Sequence, residues 1–262
     1  MIRVGIGGWV YEPWRGTFYP KGLPQVRELA HASRSVTSIE INSTFYASQK
    51  PASFRRWATE TPDEFVFSLK GPRYTTHRRV LAEAGSSIER FFASGVTELK
   101  GKLGPVLWQL PPTKAFHPDD FAAFLEFLPR SLDGLTIRHA VEVRHASFMT
   151  PDFIALLRKH AVAPVLVDSE KHPMIADVTS DFVYARLQRT SEKFRTGYAP
   201  AALDAWAMRA QVFAKGDVPA DLTRLADAAR SKGERDVFVY MISGAKVRAP
   251  AAAMALIERL KD

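Results

Sequence analysis

Apolar positions recur along the chain in two alternating registers. Short runs rich in Val, Ile and aromatic residues occupy 2–8 (IRVGIGG), 37–42 (TSIEIN), 64–70 (EFVFSLK), 104–110 (GPVLWQL), 139–144 (HAVEVR), 163–168 (APVLVD), 182–188 (FVYARLQ) and 236–242 (DVFVYMI). They predict eight strands. Between them the apolar spacing changes to the helical period at 25–34, 51–60, 86–95, 119–128, 151–160, 201–214 and 251–260. The segment TPDFIALLRKH also carries helix-start signals, Thr150 as the cap and Pro151 in the first turn. The connection 169–181 is too short and irregular to predict a helix.

Regular alternation of strand and helix predicts an α/β fold with a parallel sheet. Eight such units in 262 residues match a single (β/α)8 TIM-type barrel spanning 1–262, whose functional face lies at the C-terminal ends of the strands. The stretch 214–236 reads as an insertion, with an extra helical segment before the last strand. A doubly wound open sheet is the rival architecture. It fits less well, because VGIGGW lacks the full glycine fingerprint and an aromatic run follows where a helix should begin.

In a barrel the residues that close each strand report on function, and here they are polar. Glu40 and Asn42, Glu142 and Arg144, and Arg186 and Gln188 are each two apart and share a strand face, while Lys70, Gln109 and Asp168 lie at the ends of strands three, four and six. Buried charges have to pair with one another, with water or with a ligand. Both a structural ion-pair network and a ligand site satisfy that demand.

The stretch GGWVYEPWRGTFYP (7–20) holds Trp9, Tyr11, Trp14, Phe18 and Tyr19 at spacings that fit neither a strand nor a helix. It predicts a loop over the barrel mouth. The loop could wall a pocket or plug it by packing on TFYA (44–47), and Arg15 and Lys21 add positive charge there.

Composition narrows the chemistry. The absence of cysteine excludes disulfides, thiolate nucleophiles and Cys-ligated zinc. Lys and Arg number 36 against 28 acidic residues, a formal charge of +8. That excess fits a solvated basic surface or an anionic partner. No apolar run approaches the ~20 residues of a membrane span, and no signal peptide is recognisable. A cytoplasmic protein without membrane contact is expected.

The motifs GGWVYEPWRGTFYP, IEINSTFY, KGPRYTTHRRVL, GPVLWQLPP, EVRHASF and YARLQ, in this order over nearly the whole chain, resemble the YecE-like family (domain of unknown function 72). The resemblance implies a TIM-type barrel. It also implies shared motif residues at Trp9, Tyr11, Trp14, Glu40, Asn42, Phe45, Tyr46, Lys70, His77, Gln109, Glu142, Arg144, His145, Asp168 and Arg186, and it carries no reaction with it. Two loops depart from the family pattern, at Gln188 and Arg189 and at Ser243 and Gly244.

The expected site therefore has Glu40, Lys70, His77, Glu142 and Asp168 as catalytic candidates. Trp9, Tyr11, Trp14, Asn42, Tyr46, Gln109, Arg144, His145 and Arg186 are the substrate-binding candidates. Glu40 and Glu142 are placed as a general acid and base, and Arg144 and Arg186 as a two-pronged clamp for phosphate or carboxylate. Lys70 is an anion contact, an ion-pair partner or a Schiff-base amine, and His77 is a possible proton shuttle. The sequence itself demands no cofactor and leaves its identity open. A divalent metal on Glu40, Glu142, Asp168 and His145 is an alternative, although the interleaved cations compete for those carboxylates. The glycines of VGIGG and SGAK are candidate anion contacts.

The leading expectation is a metal-independent enzyme acting on a phosphorylated or sugar-containing anionic small molecule. A nucleic-acid-binding barrel, with or without hydrolase activity, and a non-catalytic scaffold are the alternatives. The oligomeric state is not readable from the sequence.

Overall fold

The computed structural model describes residues 1–227 and 233–261. Eight parallel strands close on themselves: β1 (Ile2–Gly7), β2 (Ser38–Ile41), β3 (Val66–Lys70), β4 (Leu103–Gln109), β5 (His139–Glu142), β6 (Ala163–Asp168), β7 (Phe182–Leu187) and β8 (Asp236–Met241). β8 pairs β1 to complete the barrel. The helices α1 (Glu28–Ser35), α2 (Pro51–Glu60), α3 (Gly85–Phe92), α4 (Pro118–Glu126), α5 (Pro151–His160), α6 (Pro200–Ala214) and α7 (Ala249–Arg259) lie between and after them. The Thr150 hydroxyl caps α5, accepting from the Phe153 N–H at 3.3 Å.

All eight expected strands form, and the connection 169–181 holds no helix. Three small features have too little periodicity to be read from sequence. They are one-turn helices at Ser43–Tyr46 and Arg73–Thr76, immediately after β2 and β3, and a hairpin of Ser131–Leu132 with Leu135–Thr136. In the expected insertion, residues 215–227 run through turns and bends. The part of the anticipated helical segment at 228–232 lies outside the described residues. No helix among the described residues is long and apolar enough to cross a membrane.

Strand alternation splits the apolar residues into two layers. Outward-facing side chains such as Ile39, Ile41, Val141, Ala185 and Leu187 pack with the helices in the larger core. Inward-facing Val66, Leu107, Ala140, Val165, Val167, Tyr184, Phe238 and Tyr240 form a smaller core inside the barrel. Above it the interior becomes polar: the Ser38 hydroxyl donates to the Val66 carbonyl at 2.6 Å and lies 2.7 Å from the Tyr240 hydroxyl.

β1 gives the interior almost no volume. A Cβ on Gly5 would sit 2.0 Å from the Ser38 carbonyl oxygen and 3.2 Å from the Tyr240 ring. That spacing leaves room for bulky Tyr240 on neighbouring β8 and Tyr184 on β7 to fill the axis. Because the obstacle is backbone, Gly5→Ala is expected to lower stability by at least the ~1–3 kcal/mol typical of overpacking, read as a depressed melting temperature by circular dichroism.

Candidate active site

The expected interior charges meet at the C-terminal end of the barrel. Arg186, on the inner face of β7, is 2% exposed. Its Nε and Nη2 donate to Glu40 Oε2 and Oε1 on β2, each at 3.0 Å. Its Nη1 donates to Glu142 Oε2 on β5. Both carboxylates are fully buried. Their remaining lone pairs are also used: Tyr184 donates its hydroxyl to Glu40 Oε2 at 2.8 Å, and Gln109 Nε2 and Arg144 Nε both donate to Glu142 Oε1 at 2.8 Å.

This pairing fixes the charge states. Burial alone would raise the Glu142 carboxyl, but the Arg186 and Arg144 guanidiniums override it and hold it at about 2. Burial likewise opposes the Arg186 charge, yet Glu142 and Glu40 outweigh it and keep the guanidinium firmly protonated. Glu142 is therefore an anionic clamp at physiological pH. Its expected role as a proton carrier does not fit a carboxylate held in that state.

Above the clamp is a cavity of about 330 Å³, lined in part by Asn42, Tyr46, Lys70, Gln109, Arg144 and Arg186, with Lys246 and Trp14 on its far side. Lys70 ends β3 with its ammonium 3.8 Å from the centre of the Phe45 ring. Burial, reinforced by Arg186, lowers it to about 8 although Glu40 and Glu142 pull the other way. Asn42 donates to the Glu40 carbonyl at 3.3 Å, and Tyr46 stands largely exposed at the rim.

The aromatic loop after β1 divides its labour. Trp14 is buried, touches Tyr11, Phe18 and Tyr19 edge to face, and donates Nε1 to the Lys246 carbonyl at 3.0 Å. It is both plug and wall. Tyr11 acts one step back, with the Lys246 ammonium 4.5 Å from its ring centre. Trp9 turns away from the mouth and packs edge-on against Trp57 of α2 at 5.3 Å. Arg15 is drawn onto buried Glu28 at 2.7 Å, also away from the cavity.

Three further candidates lie off the cavity. Asp168 faces the helix layer, because Val165 and Val167 take the inward positions of β6. It receives the Tyr198 hydroxyl at 3.4 Å and has Arg189 at 3.8 Å, and burial raises its carboxyl. His145 pairs through Nδ1 with the Ser147 hydroxyl at 2.8 Å and shapes the turn after β5. His77 packs edge to face with Phe45 at 5.7 Å, with its imidazole lowered by burial and then by Arg73 and Lys70. Asp168 and His145 thus stand apart from Glu40 and Glu142, so the four do not assemble the metal-ligand set raised as an alternative. Among the described residues no group of three or more such side chains converges.

Three contributors escaped the sequence reading. Tyr184 shares the inward face with Arg186, and its spacing of two was the available signal. Lys246 lies in the loop that departs from the family pattern. His172, in the helix-free connection, is an electrostatic neighbour of Arg144 and Glu142, and its buried Nδ1 has no partner among the described residues. The divergent loops brace each other. Thr190 donates to the Ser243 carbonyl at 2.8 Å, and a Cβ on Gly244 (φ +65°) would lie 2.6 Å from the Thr190 carbonyl oxygen.

The family model described as "Protein of unknown function DUF72" matches residues 3–262. Over 148 residues the chain is 32% identical to the UPF0759 protein YecE of Escherichia coli (strain K12), covering 56% of this chain and 50% of that protein. Over 158 residues it is 28% identical to the UPF0759 protein YunF of Bacillus subtilis (strain 168), covering 58% and 54%. The aligned stretches span about half the length of these curated relatives. A crystal structure of a DUF72 family protein from Thermotoga maritima MSB8 superposes over 100% of both chains with a TM-score of 0.78 at 22% identity, a likeness of fold.

The clamp has a pH signature. A carboxyl lowered from 4.5 to about 2 adds stability that is present above its unfolded value and disappears as pH falls through the folded one, roughly 3 kcal/mol in all. In Glu142→Gln that component should vanish, and the unbalanced guanidinium should cost about 3 kcal/mol at neutral pH. Urea denaturation from pH 7 down to 2 checks both. Equal acid sensitivity of the two proteins would refute the assignment.

Proposed function

The chain belongs to the DUF72 family of proteins of unknown function, and we propose from the geometry of its own barrel mouth that it is an enzyme acting on a small phosphorylated or carboxylated compound. One observation carries the reading. Lys70, Arg144, Arg186 and Lys246 all line one cavity, whereas the carboxylates beneath it are fully engaged by Arg186, Arg144, Gln109 and Tyr184. The cations outnumber the anions, and an anionic ligand supplies the missing charge.

Roles follow from how each cation is held. Arg144 spends only its Nε on Glu142, so both Nη groups are available to grip two oxygens of a phosphate or carboxylate. Lys246 rests on the faces of Tyr11 and Trp14, which support the ammonium without neutralising it. The amides of Asn42 and Gln109 and the exposed ring of Tyr46 suit a hydroxylated or planar remainder such as a sugar. About 330 Å³ lies at the small end of ligand sites, about 300–1,000 Å³.

Lys70 is the group that moves a proton. An amine at about 8 exchanges its proton near neutral pH, as a general acid–base group requires. Glu40 and Glu142 instead hold Arg186 in place and tune Lys70 from below.

A second reading rests on the rim. Tyr46 is 76% and Tyr74 43% exposed, and Arg73, Arg78 and Arg79 follow β3 in the same loop. Exposed rings beside cations also suit single-stranded nucleic acid.

A thermal-shift screen separates the readings. Inorganic phosphate and sugar phosphates are expected to raise the melting temperature. Arg144→Ala should weaken that binding about 10- to 100-fold, the worth of one charged hydrogen-bond pair at ~1.5–3 kcal/mol. Stabilisation only by short single-stranded oligomers, fading as salt rises, would favour the nucleic-acid reading. No stabilisation by either would leave the charged cluster as a purely structural brace.

A further inference from the structure

We propose that Lys70 is a covalent nucleophile: its amine condenses with the carbonyl group of an anionic aldehyde or ketone bound at the mouth. The inference rests on the anion-binding reading and narrows its substrate class to phosphorylated or carboxylated carbonyl compounds.

The geometry separates Lys70 from the other cations around it. Arg186 and Arg144 are tied to carboxylates, and Lys246 lies over two aromatic rings. Lys70 is 6% exposed, lines the cavity, and has neither a hydrogen bond nor an ion pair from its Nζ among the described residues; its recorded partner is the face of Phe45. A lysine serving only to neutralise Glu40 or Glu142 would sit against one of them. Here the arginines already occupy those oxygens, and the amine is left facing the ligand space.

The charged and titratable groups around it pull in two directions, and the lowering ones prevail. Burial, Arg186 from β7 and Arg144 beyond β5 disfavour the ammonium, against Glu40 from β2 and Glu142 from β5. His77, in the loop after β3, is an electrostatic neighbour as well. The outcome is an amine at about 8, with a usable neutral fraction near physiological pH. An arginine at this position would bind the same anion and offer no comparable nucleophile.

The reaction balances without an oxidant or reductant. The nitrogen lone pair forms the C–N bond while the carbonyl π pair moves to oxygen. One N–H proton passes to that oxygen, giving a carbinolamine. The C–O bond then breaks, and water leaves with the second N–H proton. Amine and carbonyl compound become imine and water. The anionic tail on Arg144 and Lys246 would hold the carbonyl within reach of Lys70.

The test uses the intact protein with dihydroxyacetone phosphate, and separately pyruvate, in the presence of sodium cyanoborohydride, which reduces any imine to a stable amine. Peptide mapping by mass spectrometry should find one dominant adduct on Lys70. It should be suppressed by excess inorganic phosphate and absent from Lys70→Arg. Its rate should rise about tenfold per pH unit and level off near 8. Adducts scattered over surface lysines with no preference for Lys70 would overturn the inference. If phosphate still raised the melting temperature in that case, the anion site would stand and only the covalent step would fall. If it did not, both would fall.

Discussion

One guanidinium organises the upper half of this barrel. Arg186 is buried on the axis and bridges β7 to Glu40 on β2 and Glu142 on β5. Each of these charges would cost several kcal/mol to bury alone, so all three are held by mutual need. Tyr184, Gln109 and Arg144 complete the hydrogen bonding from β7, β4 and the end of β5. The cluster therefore ties together walls that the strand ladders join only around the circumference.

That saturation determines what is left for function. With every nearby carboxylate oxygen engaged, the cations one layer higher have no anion of their own. Aromatic faces support them: Phe45 beneath Lys70, Tyr11 and Trp14 beneath Lys246. A ring face attracts a cation without cancelling its charge. The aromatic loop 7–20 thus supports the site in two ways. It seals the core through buried Trp14 and Tyr19, and it presents Lys246 to the cavity through the Trp14–Lys246 hydrogen bond.

Much of this was legible in the chain. Strand alternation and helical spacing carried the barrel because both are local and every unit repeats them. The period of two placed Glu40, Glu142 and Arg186 on inward faces, where they are found. Asp168 was read from its place at a strand end and not from alternation; it faces the helix layer, because Val165 and Val167 take the inward positions of β6. The charge state of Glu142 was harder to read. Arg144, two residues on, is readable from spacing, but Arg186, 44 residues away, is not, and together they hold the carboxylate charged. His172 lies in an irregular connection and Lys246 in a single 3-10 turn (Lys246–Arg248), both too short for a period to place a side chain.

The saturated Arg186 clamp leaves a surplus of positive charge inside the mouth. Its most direct measurement is a crystal of the protein soaked in tungstate, a tetrahedral dianion visible by anomalous scattering. An anomalous peak is expected within the cavity, bonded to Arg144 and approached by Lys70 and Lys246, with the Arg186–Glu40–Glu142 pairing undisturbed. Peaks confined to surface lysines and arginines, with the cavity holding only water, would contradict it.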